Sequence, residues 1–195
     1  MECIAATNNA HKLEEIRRIL QAAGHRVQSL AEAGIAADPE ETGATFAENA
    51  LIKAKAVCEA SGRPAIADDS GLVADALNGA PGVHSARYAG EPCDDAANRK
   101  KLLREMRDVP QEKRTGRFVS AVALVLPNGA VLEAEGSCEG EIGFAERGEG
   151  GFGYDSLFYV QGRSFAELSE QEKDACSHRG VALAAFAEKL PAFLA

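Results

Sequence analysis

Two adjacent carboxylates, Asp68 and Asp69, directly follow the apolar run Ala65-Ile66-Ala67 and precede Ser70-Gly71. Acids at the end of a strand are either solvated in an Asx turn or held to bind a hard cation, because Mg²⁺ takes one or two carboxylates plus waters and phosphate oxygens. Glu40-Glu41 offers further carboxylates on an acidic loop, where solvation is the ordinary state. Lys53 lies four residues beyond Asn49, so the two share a helix face, although a lysine there is ordinarily a solvated surface residue. Thr7-Asn8-Asn9-Ala10-His11-Lys12 leaves a strand and enters a helix. At such a turn, backbone N–H groups and the helix dipole favour an anion, and Lys12 adds a full charge. Thr7 and Asn9 equally suit a turn and a helix cap. The glycines and the Lys-Ser/Thr pair of a P-loop are absent.

Two later segments add other chemistry. Gly148 to Gly153, followed by Tyr154-Asp155, places Phe152 and Tyr154 in a backbone-permissive loop, where an aromatic face either stacks on a nucleobase or packs within the loop. Lys173 and Ser177-His178-Arg179 bring cations to the start of the last helix, the end of the dipole that repels them. Either an anion or a polar heterocycle shares that place, or the cations lie outside the first turn. No nucleophile elbow, His-Glu-x-x-His pattern or dinucleotide fingerprint occurs, so covalent and zinc chemistry have no support. The 5 cysteines are odd in number and form no close pair, which reads as scattered buried thiols in a reducing compartment.

Positioning these residues falls to a series of strands and helices. Cys3 to Ala6 reads as a strand, and Leu13, Ile16 and Leu20 recur at helical spacing after the polar turn. A strand over Val27 to Leu30 follows. Thr45 and Glu48 form a capping box for a helix that runs to about Ser61 and ends at Gly62. Asn78 to Gly90 reads as an ordered loop and Asp94 opens a charged helix to about Arg107. Phe118 to Leu126 and Val131 to Glu135 flank Pro127-Asn128-Gly129, a hairpin signal. Glu139 to Gly153 is glycine-rich loop, Leu157 to Val160 a strand, and Ser177 the N-cap of a final helix on which Leu183, Phe186, Ala187 and Leu190 share a face. Strand–helix alternation followed by an antiparallel hairpin predicts an α/β fold around a mixed sheet, with no linker or repeat to divide residues 1–195.

The whole-chain numbers fit that picture. A chain of 195 residues, 46% hydrophobic and 26% charged, is globular, and should bury about 70% of its unfolded surface. Its net charge of −9 repels nucleic acid and anionic lipid, so any phosphate-bearing ligand needs a local cation or a metal. No apolar run approaches the roughly 18 residues that span a bilayer, and Met1-Glu2-Cys3-Ile4 does not open like a secretion signal, so the expectation is a cytoplasmic protein without membrane or nucleic-acid partners.

Taken together, Thr7-x-Asn9-x-x-Lys12, Glu40-Glu41-Thr42-Gly43-x-Thr45-Phe46-x-Glu48-Asn49-Ala50, Lys53-Ala54, Ala67-Asp68-Asp69-Ser70-Gly71-Leu72, Gly79-x-Pro81-Gly82-Val83-x-Ser85-Ala86-Arg87, Gly151-Phe152-Gly153-Tyr154-Asp155 and Ser177-His178-Arg179 resemble the noncanonical purine nucleoside triphosphate pyrophosphatases, the inosine and xanthosine triphosphate pyrophosphatase family. These motifs run from residue 7 to residue 179 in one order. One departure is Ser156, where the family often has proline. The resemblance implies an elongated α/β fold with two lobes and a central nucleotide-binding cleft, a homodimer, a Mg²⁺ ion, and hydrolysis of ITP, XTP and their deoxy forms to monophosphate and pyrophosphate. It further implies that Asp69 is the general base and a metal ligand, that Glu41 is a second metal ligand, and that Thr7, Asn8, Asn9, Ala10, His11, Lys12, Lys53 and Ser70 surround the triphosphate. Phe152, Gly153, Tyr154 and Asp155 would form one side of the base pocket, and Lys173, His178 and Arg179 the other. A purine 6-keto oxygen would accept from Arg179 or His178, whereas the 6-amino group of adenine would meet donors with a donor. The alternatives are a pyrophosphatase for another nucleotide and a non-catalytic nucleotide-binding regulator.

Overall fold

Apolar runs alternate with amphipathic stretches at the start of the chain, and the result is β1 (Glu2–Ala5), α1 (Ala10–Ala22) and β2 (Arg26–Gln28) in a computed structural model that describes all 195 residues. The Thr45–Glu48 capping box is present, with the Thr45 side chain accepting from the Glu48 N–H and the Glu48 carboxylate accepting from the Thr45 N–H. It opens α2 (Phe46–Ser61), which stops at Gly62 in the left-handed conformation. Then come β3 (Ala65–Ala74), α3 (Asp95–Glu105) behind its Asp94 cap, β4 (Thr115–Val125) and β5 (Val131–Ile142), with the turn at Pro127-Asn128-Gly129 between the last two. The chain finishes with β6 (Phe158–Val160), β7 (Arg163–Ser164), α4 (Glu170–Cys176) and α5 (His178–Leu194). The 7-stranded sheet has the order β2-β1-β3-β4-β5-β6-β7 and is mixed: β1 is parallel to β2 and β3, whereas β6 is antiparallel to β5 and β7. No helix is long and apolar enough to cross a membrane.

The chain forms two compact units, Met1–Asp69 with Ser120–Gly136 and His178–Ala195, and Ser70–Val119 with Ser137–Ser177. In the first unit β1, β3 and β4 are buried on both faces, which explains why they read as continuous apolar runs. Strand alternation sends Cys3, Ala5 and Ile66 toward Ile16 and Leu20 of α1 and Leu183, Phe186 and Leu190 of α5. Ile4, Ala65 and Ala67 point the other way, against Ala50, Ala54 and Val57 of α2. Gly136 of β5 permits the close approach of α5, because a Cβ there would lie 2.4 Å from the His178 carbonyl oxygen and the Ala182 nitrogen. The second unit packs around Leu72, Leu102, Met106 and the rings of Phe118, Phe158 and Phe165. Phe118 meets Phe158 edge-on with centroids 4.7 Å apart.

Four sequence expectations are corrected. Asp68 and Asp69 are mid-strand residues of β3 rather than members of a turn, because both are ion-paired and the ladder runs on past them. The hairpin arms are longer than their apolar centres, so residues 139–142 of the glycine-rich segment are strand. A short helix, α4, with its own Ser169–Glu172 capping box is absent from the sequence expectations; Ser177 closes it and, with extended backbone, stands directly before α5, where the N-cap was expected. Of the thiols, Cys3, Cys58 and Cys138 are buried, but Cys93 is exposed and Cys176 half-buried.

Candidate active site

The alternation of β3 that builds the two cores also splits the acidic pair. Asp68 follows Ile66 onto the α1 and α5 face, and Asp69 follows Ala67 onto the α2 face. On the first face, Asp68 Oδ2 receives Lys12 Nζ at 2.9 Å and Arg179 Nη2 at 3.1 Å, while Oδ1 accepts from the Ser120 hydroxyl. Arg179 also pairs with Glu15 of α1, and its guanidinium is fully enclosed. Burial alone would push Asp68 up, but Arg179 and Lys12 outweigh it and hold the carboxyl well below the usual carboxylate range. The cations that the sequence placed against the dipole of the last helix are thus answered: Arg179 by two carboxylates, and Lys173 by lying in the last turn of α4, where a cation is favoured.

On the other face, Lys53 Nζ lies 2.8 Å from Asp69 Oδ1 and 2.8 Å from Glu41 Oε1. Asn49, one turn earlier on α2, donates from Nδ2 to Asp69 Oδ2 at 3.3 Å and accepts the Gly43 N–H at 2.8 Å. The capping box therefore fixes the start of a helix whose inner face holds both oxygens of Asp69. Burial raises the Asp69 carboxyl above its ordinary value against the opposing pull of Lys53 and Lys12. Lys53 itself is disfavoured as an ion by burial, yet Asp69 and Glu41 more than compensate and keep it protonated.

The first turn does what its residue types suggest. Asn9 caps α1 by accepting the Lys12 N–H, and Thr7 Oγ1 accepts the Asn9 N–H. Asn8, Ala10 and His11 are exposed, and Ser70 is half-buried at the boundary of the second unit.

In the second unit, Asp155 is buried and organises the glycine-rich loop: its Oδ2 accepts the Phe152 N–H at 2.9 Å and Lys173 Nζ at 2.8 Å. The same ammonium lies 4.9 Å from the centre of the Phe152 ring. Gly151 has φ +71°, and a Cβ there would stand 2.1 Å from Asp155 Oδ2, so glycine is required. Tyr154 is buried and donates its hydroxyl proton to the Ser85 carbonyl at 2.7 Å. Phe152, Gly153 and Asp155 lie together with Tyr154 facing inward, and Lys173, expected on the opposite side of a base pocket, touches Asp155 and the Phe152 ring directly. His178 and Arg179 belong to the first unit, both buried.

Glu15 and Ser120 escaped the sequence reading. Glu15 had a readable signal, three residues beyond Lys12 on one face of α1, whereas nothing local marks Ser120, 52 residues from its partner. The donor set fits a hard divalent cation. No group of three or more His, Cys, Asp or Glu side chains is assembled to hold a metal alone, so the ion would share Glu41 and Asp69 with substrate phosphate oxygens. The cluster also needs positive charge: Lys12, Lys53 and Arg179 face Glu15, Glu41, Asp68 and Asp69, a net of one negative charge.

The Ham1 family model matches residues 3–189. A dITP/XTP pyrophosphatase of Desulforamulus reducens is 52% identical over 94% of this chain and 92% of its own length. One from Haemophilus influenzae is 51% identical over 96% and 97%. Among solved structures, a HAM1 protein from Coxiella burnetii superposes with a TM-score of 0.88 at 42% identity, covering 98% of this chain and 99% of that one. The Staphylococcus aureus Ham1 protein gives 0.87 at 38% identity with the same coverage. The family match and the fold similarity both run along almost the full length, and the chain belongs to the Ham1 family.

Proposed function

We propose that this chain hydrolyses noncanonical purine nucleoside triphosphates, ITP, XTP and their deoxy forms, to nucleoside monophosphate and pyrophosphate, as a single catalytic domain dependent on Mg²⁺. The observation that carries the reading is the Asp69 carboxylate held between Lys53 and Asn49 beside Glu41. Relatives about half identical over more than nine-tenths of the chain, the dITP/XTP pyrophosphatases of Desulforamulus reducens and Haemophilus influenzae, support it.

In this reading Asp69 takes the proton of the attacking water. Asp68 is the poorer base, because Arg179 and Lys12 hold its carboxyl well below the usual carboxylate range, whereas burial raises that of Asp69. Asn49 and Lys53 fix the direction of the Asp69 lone pairs, and the raised affinity of that carboxyl for a proton suits the task. Glu41 and Asp69 would hold Mg²⁺, which when bound supplies positive charge to the phosphate oxygens. Lys12 and Lys53 neutralise the triphosphate, with the Thr7-to-Lys12 turn and Ser70 offering further donors. As the family resemblance implies, Phe152 to Asp155 would take one side of the base, with Lys173, His178 and Arg179 on the other. The proposal also includes a homodimer in the cytoplasm, as the family resemblance implies.

The test is product analysis with ITP and ATP, each with Mg²⁺ and with EDTA. Pyrophosphate and monophosphate from ITP, little from ATP and none with EDTA is the expected result. Orthophosphate would mean attack at the terminal phosphate and a different mechanism, and tight binding without turnover would favour a regulator.

A further inference from the structure

Helix α3 reaches the glycine-rich loop at one residue, Gly153, and holds its backbone by both the N–H and the carbonyl. Asp95 and Arg99 lie four residues apart on one helix face. Asp95 Oδ2 accepts the Gly153 N–H at 2.9 Å, and Arg99 Nη1 donates to the Gly153 carbonyl at 2.9 Å. The guanidinium turns its Nε to Glu146 Oε2 at 2.9 Å, and the same oxygen accepts the Ser156 hydroxyl at 3.0 Å. Ser156, the departure from the proline of the family pattern, is thus tied into the network that grips the loop. The helix is a firm base for this grip. Asn98 is buried, donating to the Ala86 carbonyl at 2.9 Å and accepting the Ala89 N–H at 2.6 Å, and Leu102 lies in the core.

Gly153 separates Phe152 from Tyr154, so the orientation of the two peptides that flank it sets where the Phe152 ring stands. Tyr154 is fixed through Ser85, and Asp155 is fixed through Lys173. The Gly153 peptide takes its support from α3, beside a pocket of about 190 Å³ lined by Arg99, Glu146, Phe152, Gly153 and Ser156 among others. A planar fork with donors on two edges suits this double duty, and lysine could serve one edge alone.

We propose that Asp95 and Arg99 are positioning residues for base recognition, acting through Gly153 to set how sharply one purine is told from another. This rests on the assignment of the 151–155 loop to the base. Neither side chain contributes to the Lys12, Lys53, Glu41 and Asp69 cluster, so their removal should loosen the base and leave phosphate binding alone.

The experiment measures pyrophosphate release from ITP and from GTP, and competitive inhibition by inorganic tripolyphosphate, which carries no base. Asp95→Ala and Arg99→Ala are expected to raise KM for ITP about 10-fold, the effect of one lost charge-assisted hydrogen bond. They should also narrow the ITP-to-GTP ratio of kcat/KM and leave both kcat and the tripolyphosphate constant near the parent values. Asp95→Asn keeps an acceptor for the Gly153 N–H and should recover most of the loss. If the alanine variants do not fold, Arg99→Lys decides: it keeps the charge, loses the fork, and must raise KM for ITP. A tripolyphosphate constant that moves in step with KM, or an unchanged ITP-to-GTP ratio, overturns the proposal. A parent enzyme that releases pyrophosphate from neither nucleotide sinks the function and the proposal with it. A parent that discriminates, with α3 variants that discriminate equally well, sinks the proposal alone.

Discussion

At the scale of single residues, the two members of the acidic pair have different fates, and substitution should separate them. Asp69→Asn keeps the shape and the contact with Asn49 but removes the proton acceptor, so pyrophosphate release should fall about 10²- to 10⁴-fold. ITP affinity, measured by calorimetry, should change far less, and near-normal turnover would move the base to Glu41. A second prediction concerns Arg114, which is 1% exposed and donates to the carbonyls of Met106, Val109, Ile142 and Gly143, with the Phe144 ring over its guanidinium. Arg114→Met abandons these acceptors in the core of the second unit and should cost about 3 kcal/mol, read from denaturant midpoints. A loss below about 1 kcal/mol would mean that water replaces the guanidinium. Asp69, Lys53 and Glu41 were singled out by the family motifs they sit in, since local spacing alone leaves Lys53 and Glu41 as solvated residues. Glu15, Ser120 and Arg114 were not singled out, because their partners lie far away in sequence and a lone Glu, Ser or Arg carries no signal of its own burial.

At the scale of elements, the glycine-rich loop illustrates how backbone and side chain constrain each other. Gly151 and Gly153 both have left-handed φ, +71° and +59°, but a Cβ would strike Asp155 at the first and meet nothing at the second. Both alanine substitutions should cost about 1 kcal/mol for the backbone conformation alone. Gly151→Ala must in addition push Asp155 off Lys173 and the Phe152 N–H, so it should unfold at lower temperature than Gly153→Ala and raise KM for ITP more. Equal effects would show that Asp155 has room to move. The elements themselves were readable where local rules act: the Thr45 capping box, the Gly62 stop and the hairpin turn all stand where their residue types put them. What went unread was decided by tertiary pairing. The β3 ladder carries two carboxylates because lysines and an arginine from elsewhere neutralise them, and α4 spans too few residues for a hydrophobic period to declare itself.

For the whole molecule, charge is the controlling quantity. A protein of net charge −9 that is to bind a triphosphate must overcome a repulsive field. The cluster proposed to meet the phosphates does not do so unaided, since the four carboxylates outnumber the three cations. A divalent ion reverses that sign, yet no set of three or more protein ligands is built to retain one. The metal should therefore belong to the substrate complex and not to the fold. EDTA is accordingly expected to abolish both ITP binding and pyrophosphate release while moving the unfolding temperature of the nucleotide-free protein by less than about 1 °C. Mg²⁺ and nucleotide added together should raise that temperature by the linkage of binding to folding, and either one alone should raise it little. A large drop in unfolding temperature on chelation would instead mean that the ion is structural, held by oxygen donors beyond Glu41 and Asp69, and would separate its role from the charge argument altogether.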